Sequence, residues 1–142
     1  MTDFTIVAGR DAMDVAVIHH YLSEVSYWAR GISLEKVVRS LDHSLCFGGF
    51  VDGQQVAFAR VVTDLTTFAY LCDVFVLETH QGKGYSKALM AAIMAHADLQ
   101  GLRRFYLGTL DAHSLYAQFG FASPAHPERI MEISTQVIAE RS

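Results

Sequence analysis

A glycine-containing turn between a strand-like segment and a helix-like segment constrains this chain more than any other feature. The turn comprises residues 80–87, with the sequence HQGKGYSK. Residues 70–77 before it suit a strand, and residues 88–95 after it are mostly good helix formers. This order directs unpaired N–H groups and the positive end of a helix dipole to one place. The turn therefore predicts a binding site for phosphate or another anion.

The spacing of apolar residues before the turn predicts a strand, two helices and three further strands. In chain order these segments are residues 4–7, 11–24, 34–41, 44–51, 55–62 and 69–77. Asp52 and Gly53 form a tight-turn signal, and Ser33 is a suitable N-cap for the second helix. Because short turns join the last three strands, we expect them to form an antiparallel meander.

The segments after the turn complete a mixed pattern. A strand at 104–110 follows the central helix, and a β-α-β crossover of this kind makes it parallel to the strand at 69–77. A short helix at 112–119 comes next, with strand pieces at 121–122 and 130–133. The predicted fold class is therefore α+β, with a mixed, mostly antiparallel sheet flanked by helices.

Length and composition limit the functional classes. No linker interrupts the 142 residues, so a single domain over residues 1–142 is expected. The net charge of −4 gives no electrostatic reason to expect a nucleic-acid partner. The most apolar window, residues 88–97, is shorter than the ~20 residues of a membrane span, and residues 1–4 lack signal-peptide features. Cys46 and Cys72 have no metal-ligand spacing, so we expect buried reduced thiols, no metal and a cytoplasmic location.

Two well-known phosphate-binding patterns do not fit the turn. A dinucleotide fingerprint requires G-x-G-x-x-G, but Lys87 occupies the position of the third glycine. A Walker A loop requires G-x-x-x-x-G-K-[ST], which residues 82–87 do not supply. The meander before the turn is also foreign to a dinucleotide-binding core. Neither of these nucleotide sites is therefore expected.

The pattern that fits is Gln-x-x-Gly-x-Ser, formed by residues 81–86. It resembles the pyrophosphate-binding motif Arg/Gln-x-x-Gly-x-Gly/Ala of the GNAT superfamily of N-acetyltransferases, with Ser86 at the last position. Residues 112–121, AHSLYAQFGF, are similar to a second segment of that superfamily, A-x-x-[LF]-Y-x-x-x-G-F. The order of elements also matches over nearly the whole chain. The resemblance implies a GNAT fold with a β-α-β core that binds acetyl-CoA.

The resemblance also implies where acetyl-CoA binds. Backbone groups of Phe75 and Val76 would bond the pantetheine arm, in a cleft where the strands at 69–77 and 104–110 separate. Thr109 stands where the superfamily often has an asparagine that contacts the cofactor. Lys83 and Lys87 either add charge toward the phosphates or are ordinary solvated lysines. The pyrophosphate would lie on the loop and helix start, formed by Gln81, Gly82, Lys83, Gly84, Tyr85, Ser86 and Lys87.

Tyr116 and Asp73 are the catalytic candidates. In many members of the superfamily the tyrosine equivalent to Tyr116 protonates the leaving thiolate, and an unperturbed phenol with a pKa of about 10 can do so near neutral pH. The alternative is that Tyr116 is a core residue of a short helix. Asp73 is charged within an apolar strand, so it is either the base that deprotonates the amine or a paired structural carboxylate. Other titratable residues near the predicted cleft are Glu78, Asp111 and His113.

The acceptor is expected to enter beside the first two helices, as in the superfamily, near Tyr27, Trp28 and Arg30. The aromatic rings could cover a substrate and Arg30 could bind a carboxylate, or Trp28 could pack as a lid on the core. The predicted activity is transfer of an acetyl group from acetyl-CoA to a primary amine of a small molecule or protein, by direct attack. The alternative is a non-catalytic acyl-CoA-binding module that senses or regulates. Because exposed sheet edges of such folds often pair, a homodimer is a further expectation.

Overall fold

The computed structural model of this protein describes residues 3–134. The chain divides into two compact units, Met1–Asp111 and Ala112–Ser142. The first unit contains the sheet and the glycine turn, and the second begins with a short helix. The single domain expected over residues 1–142 stays a prediction.

A five-stranded mixed sheet is the framework of the first unit. Its strands lie side by side in chain order, β1 to β5. Strands β1 to β4 pair antiparallel, whereas β4 and β5 pair parallel. This arrangement confirms the predicted α+β class, the meander and the parallel crossover. The strands are β1 Phe4–Ala8, β2 Leu45–Val51, β3 Gln54–Thr63, β4 Phe68–Val76 and β5 Arg104–Leu107.

The helices of the described residues lie largely where the apolar spacing predicts them. Ser33 caps α2, since its hydroxyl accepts a hydrogen bond from the Lys36 N–H at 3.2 Å. Asp52 and Gly53 both have positive φ, 53° and 78°, as the tight turn between β2 and β3 requires. The helices are α1 Val15–His20, α2 Leu34–Asp42, α3 Tyr85–Ala95 and, in the second unit, α4 His113–Ala117.

The predicted helix over residues 11–24 is divided into three pieces. A 3-10 turn spans Arg10–Ala12, α1 follows after a break, and a π-helical turn over Tyr21–Val25 continues it. The break has a local cause. Asp14 is extended, and its carboxylate accepts a hydrogen bond from the Val17 N–H at 3.2 Å, so α1 begins anew with Asp14 as its N-cap.

Apolar side chains pack on both faces of the sheet. Beside α1 and α2 the core cluster contains Met13, Ile18, Leu22, Val37, Leu41, Cys46, Phe58 and Phe75. Helix α3 contacts β2 and β3, and its buried residues are Leu89, Met90 and Ile93. Because neighbouring side chains of a strand point to opposite faces, β3 is buried almost throughout. Packing on both faces thus holds β4 and β5 in place within the sheet.

The structure differs from the prediction toward the end of the chain. Strand β5 ends at Leu107 and does not continue to residue 110, and residues 121–122 and 130–133 are not strands. The apolar residues of 130–133 predicted a strand, but Met131 and Ile133 are 93% and 94% exposed. A strand needs a neighbour that accepts its backbone hydrogen bonds, and no strand of the described sheet pairs with this segment.

Asp64 organises the turn between β3 and β4. Its carboxylate accepts hydrogen bonds from the Thr67 hydroxyl at 2.6 Å and from the N–H groups of Thr66, Thr67 and Phe68 at 3.0, 2.7 and 3.1 Å. The Thr67 hydroxyl, followed by the backbone donors, holds the pKa of Asp64 far below its usual value. The ionised form of Asp64 is therefore favoured in the folded state.

We expect Asp64→Ala to lower the melting temperature near pH 7. The pKa of Asp64 is lower in the folded than in the unfolded chain, so its contribution to stability is fully present above the unfolded pKa of about 4. That contribution is lost as the pH falls from there toward the folded pKa. The difference between the melting temperatures of the two proteins should therefore shrink progressively as the pH falls below about 4, whereas the exposed control Asp11→Ala should match the wild type throughout. A constant difference across this range would contradict the assignment.

Candidate active site

Strands β4 and β5 are paired over only part of the length of β4. Residues 68–71 of β4 pair with residues 104–107 of β5, and β5 ends at Leu107. Strand β4 continues to Val76 with β3 as its neighbour on the other side. The second half of β4 therefore presents a backbone edge that β5 does not cover.

The backbone groups on this edge belong to Val74 and Val76. The Leu77 N–H donates to the Val56 carbonyl at 2.8 Å, and Phe75 lies opposite Phe58 on β3. Because the backbone groups of a strand alternate between its two sides, Phe75 and Leu77 bond toward β3. The N–H and C=O groups of Val74 and Val76 consequently face the side that β5 leaves. Sequence reasoning named Phe75 and Val76 and missed Val74.

A β-bulge at Asp73 sets this register. The pairing of β3 with β4 shifts between Phe58 and Arg60, so that β4 contains one residue more than β3 there. Asp73 itself has φ 56°, in the left-handed region that side chains other than Asn, Asp and His seldom adopt. Such backbone strain is concentrated at functional sites, where surrounding contacts maintain it.

Two donors hold the carboxylate of Asp73. The Trp28 indole Nε1–H donates to Oδ1 at 2.9 Å, and the Arg60 Nε–H donates to Oδ2 at 2.8 Å. Arg60 also donates from Nη1 to the Ser44 hydroxyl at 3.1 Å. The side chains of Arg60 and Asp73 are only 19% and 12% exposed. Between the two roles that the sequence leaves open for Asp73, these contacts favour the paired structural carboxylate.

The glycine loop leads from the end of β4 into α3. Gly82 and Gly84 have φ 78° and 80°, and a Cβ atom on either would meet no atom within 4 Å. Gly84 is the N-cap of α3, and no side chain caps the helix start. The first N–H groups of α3, which have no partner within the helix, are thus exposed beside an open glycine loop. The arrangement suits an anion that approaches the backbone closely.

Side chains of the loop divide into supporting and exposed ones. Gln81 donates from Nε2 to the Val76 carbonyl at 3.0 Å, which ties the loop to the end of β4. The Tyr85 ring stacks on Phe4 of β1 with centroids 3.9 Å apart. Lys83 and Lys87 are exposed, and neither forms an ion pair within residues 3–134. These two lysines are free to face an anion on the loop.

The residues predicted to contact the acceptor lie between α1 and α2. Tyr27 is 58% exposed and contacts the Trp28 ring edge to face, with centroids 5.1 Å apart. Arg30 is exposed. Through its bond to Asp73, Trp28 connects this segment with the bulge of β4. The structure thus brings together Trp28 and Asp73, which lie 45 positions apart in the sequence, and the sequence does not reveal this contact.

Tyr21 lies beside the candidate site, although the sequence does not single it out. Its ring stacks on Phe75 with centroids 4.0 Å apart and lies 6.4 Å from that of Trp28. Burial, followed by the negative charge of Glu78, raises the pKa of Tyr21, so the phenol is protonated near neutral pH. The apolar spacing of α1 does include this position, but only the π-helical turn directs it onto β4.

Tyr116 and Thr109 are found in different units. Thr109 follows β5 in the first unit. Tyr116 lies in α4 of the second unit, is 8% exposed and contacts Phe121 edge to face with centroids 6.2 Å apart. Their roles toward acetyl-CoA stay predictions.

The described residues contain no recognisable metal centre. Among residues 3–134, no three His, Cys, Asp or Glu side chains are grouped in a way that could hold a metal ion. In the same range, no helix combines the length and apolar composition that a membrane crossing requires.

Comparisons with known proteins identify the family and agree with the fold. A family model described as the acetyltransferase (GNAT) family matches residues 15–121. A solved structure from Xanthomonas campestris pv. campestris, described as a candidate acetyltransferase of the GNAT family, is 57% identical. The similarity covers 95% of each chain, with a TM-score of 0.92.

Two similar proteins at lower sequence identity are also described as acetyltransferases. A candidate acetyltransferase of Gibberella zeae is 28% identical over 138 residues, which cover 82% of this chain and 77% of that protein. A candidate acetyltransferase from Clostridium acetobutylicum, solved with acetyl-CoA, is 12% identical with a TM-score of 0.66 over 94% of this chain and 96% of that one. At such low identity, the second likeness concerns the fold alone.

The two thiols are poor nucleophiles, which yields a direct test. Burial raises the pKa of Cys72 to about 12 and that of Cys46 to about 11, against the lowering effect of nearby arginines. A thiolate is the reactive form, so at pH 8 only a fraction on the order of one thousandth or less is available, compared with roughly a quarter for an unperturbed thiol.

We therefore expect iodoacetamide to label neither cysteine of the folded protein at pH 8 on the timescale that labels both in denaturant. Mass spectrometry of the labelled peptides measures the extent at each site. Labelling of Cys72 at the rate of a free thiol would contradict the burial and the pKa direction described above.

Proposed function

This chain belongs to the acetyltransferase (GNAT) family, and we propose that it transfers the acetyl group of acetyl-CoA to a primary amine by direct attack. The acceptor would be an amine of a small molecule or of a protein. N-acetyltransferase activity follows from the family and from the similar proteins named acetyltransferases.

One observation supports the proposal most strongly: the uncovered edge of β4 leads directly into the glycine loop at the start of α3. The pantetheine arm is extended and contains amide groups, so it can pair with Val74 and Val76 as an additional strand would. The pyrophosphate would then reach the loop and the first N–H groups of α3. Lys83 and Lys87 would add positive charge, and Thr109, after β5, would line the other side of the opening.

The acetyl transfer itself requires three events. The neutral amine nitrogen attacks the thioester carbonyl carbon, the carbonyl oxygen gains negative charge, and the C–S bond breaks to release the CoA thiolate. A β4 backbone N–H group would stabilise the oxyanion. The amine loses a proton and the thiolate takes one up, and we assign the second transfer to the Tyr116 hydroxyl.

Direct attack is favoured over a covalent acetyl-enzyme. Cys72 adjoins the bulge of β4, but burial raises its pKa to about 12, so a thiolate is scarce near neutral pH. Asp73 has both carboxylate oxygens bonded to donors, so we assign it a structural role and do not assign the base. A water molecule could carry the amine proton to solvent.

A comparison of Tyr116→Phe with the wild type tests the proposal. Release of CoA from acetyl-CoA is followed with tyramine, spermidine and lysine amide as acceptors. We expect the variant to lose about 10²- to 10⁴-fold in kcat, since it lacks the proton donor, with little change in the KM for acetyl-CoA. Tyr106→Phe, on β5, removes a hydroxyl elsewhere and serves as the matched control.

Two outcomes would contradict the proposal. If the wild type binds acetyl-CoA but no amine accelerates CoA release, the non-catalytic acyl-CoA-binding module becomes the better description. If Tyr116→Phe and Tyr106→Phe retain equal kcat values, the hydroxyl of Tyr116 is not the proton donor.

A second variant tests the loop. Gly84→Ala forces a residue with a Cβ atom into the left-handed region at φ 80°, which costs about 1–2 kcal/mol without any steric clash. We expect the dissociation constant for acetyl-CoA to rise roughly 10-fold, measured by titration calorimetry. Gly101→Ala is the matched control, because Gly101 has φ 68° and open space but lies outside the loop. Equal weakening of both variants would show that general strain, and not the loop, is responsible.

We also propose that the protein forms a homodimer and is located in the cytoplasm. Strand β1 is an outer strand of the described sheet, so one of its backbone edges could pair with a second copy in a homodimer. Sedimentation analysis of the purified protein measures the mass directly. A cytoplasmic location agrees with two free cysteines.

A further inference from the structure

We propose that Arg60 and Asp73 are positioning residues that hold Trp28 against the bulge of β4, and that this contact sets the affinity for the acceptor amine. We call the three residues the Trp28 clamp. The inference rests on the proposed acetyl transfer, because it assigns the segment of Trp28 to the acceptor side. Neither Arg60 nor the connection between Trp28 and Asp73 follows from the motif that binds the cofactor.

The carboxylate of Asp73 accepts hydrogen bonds from Arg60 within the sheet and from Trp28 in the connection between α1 and α2. Oδ2 accepts from Arg60 at 2.8 Å, and Arg60 is fixed in turn by the Ser44 hydroxyl at 3.1 Å. Oδ1 accepts from the indole of Trp28 at 2.9 Å. Hydrogen bonds to an ionised acceptor are stronger than neutral ones, and burial reduces their screening. The ion pair in the sheet thus anchors a side chain from the connection between α1 and α2.

Hydrogen bonds within the segment around Trp28 connect it to the preceding helical turns. The Ser26 N–H donates to the Tyr21 carbonyl at 2.8 Å, and the Gly31 N–H donates to the Ser23 carbonyl at 2.9 Å. The Ser26 hydroxyl joins the Leu22 carbonyl and the Ala29 N–H at 2.6 and 3.1 Å. These bonds give the segment its internal shape. The bond from Trp28 to Asp73 fixes the position of that shaped segment relative to β4.

The clamp determines where the aromatic rings beside β4 are positioned. The exposed Tyr27 ring contacts the Trp28 ring edge to face, with centroids 5.1 Å apart. The Tyr21 ring stacks on the Phe75 ring, with centroids 4.0 Å apart. These rings stand next to the half of β4 that is proposed to carry the acetyl group. A substrate amine approaching the thioester would pass along them, so a displaced Trp28 would weaken acceptor binding without touching the glycine loop.

The members of the clamp should differ in their effects. Trp28→Phe keeps an aromatic ring but removes the indole N–H donor and part of the ring surface that packs on the core, so it weakens the tie between the segment and β4 and leaves the bulge intact. Asp73→Asn offers one oxygen for two donors, and the charged Arg60 is the stronger donor, so Trp28 loses its acceptor. Since the bulge directs Val74 and Val76 toward the cofactor, Asp73→Asn should disturb the binding of both substrates.

Trp28 is the single tryptophan of the chain, so its fluorescence reports on the clamp alone. We expect acrylamide to quench Trp28 at least about 2-fold more efficiently in Asp73→Asn and Arg60→Gln than in the wild type, because loss of the bond frees the ring. Leu99→Ala is the control, because it removes buried apolar contacts far from the clamp and should leave quenching unchanged while lowering stability.

Kinetics of Trp28→Phe supply the second readout, with tyramine, spermidine and lysine amide as acceptors. We expect the KM for the amine to rise about 10-fold while the KM for acetyl-CoA stays within about 2-fold. Unchanged quenching in both Asp73→Asn and Arg60→Gln would overturn the clamp. A rise of both KM values in Trp28→Phe would overturn its specific role toward the acceptor. If the wild type acetylates none of these amines, the proposed function fails, whereas the clamp is still decided by the quenching.

Discussion

The pairing of β4 with β5 stops after residues 71 and 107, while β4 continues to Val76. The uncovered edge of the candidate site depends on this separation. A fully paired sheet would satisfy the backbone of Val74 and the N–H of Val76, whose carbonyl already accepts from Gln81, and would leave no edge for an extended ligand. Because β5 ends early, the outer backbone groups of β4 and the loop that follows them form one continuous surface. In the proposed binding mode, the glycine turn would hold an anion at the end of this surface, and the edge of β4 would lead the ligand to it.

The β-bulge at Asp73 decides which residues line that surface. One extra residue in β4 changes which backbone groups point toward β3. The N–H and C=O groups of Val74 and Val76 therefore point away from β3, and those of Phe75 bond to it. The left-handed conformation of Asp73 is unfavourable by itself, and the bonds to Arg60 and Trp28 offset it. A partly buried ion pair within the sheet therefore supports both the register at the uncovered edge of β4 and the position of the aromatic segment beside it.

Local signals in the sequence predict much of this molecule. Gly82 and Gly84, followed by helix formers, indicate the loop because left-handed turns and helix starts are encoded by neighbouring residues. The meander is predicted for the same reason, since Asp52 and Gly53 form the tight turn that joins β2 to β3. The loop is also the part of the predicted site that a motif defines.

Tertiary contacts determine what the sequence does not reveal. The bulge depends on donors 13 and 45 positions away from Asp73, and no periodicity reports them. The sequence names Phe75 as a contact of the pantetheine arm. Only the register set by the bulge shows that the backbone of Phe75 bonds to β3, whereas that of Val74 lies on the other side of β4. At the end of the chain, the apolar residues 130–133 predict a strand, but a strand forms only where a neighbour accepts its hydrogen bonds. The hydrophobic pattern of the sequence thus does not show which distant residues contact each other.

Amide hydrogen exchange at single-residue resolution, with and without CoA, tests the central account most directly. We predict that CoA protects the amides of Val74 and Val76 and those of residues 82–87. The amides of Phe75 and Leu77 should be protected already in the free protein, because they bond to β3, and should not change. New protection confined to Phe75, or no change in the loop, would contradict the account that β4 and the glycine loop together hold the cofactor.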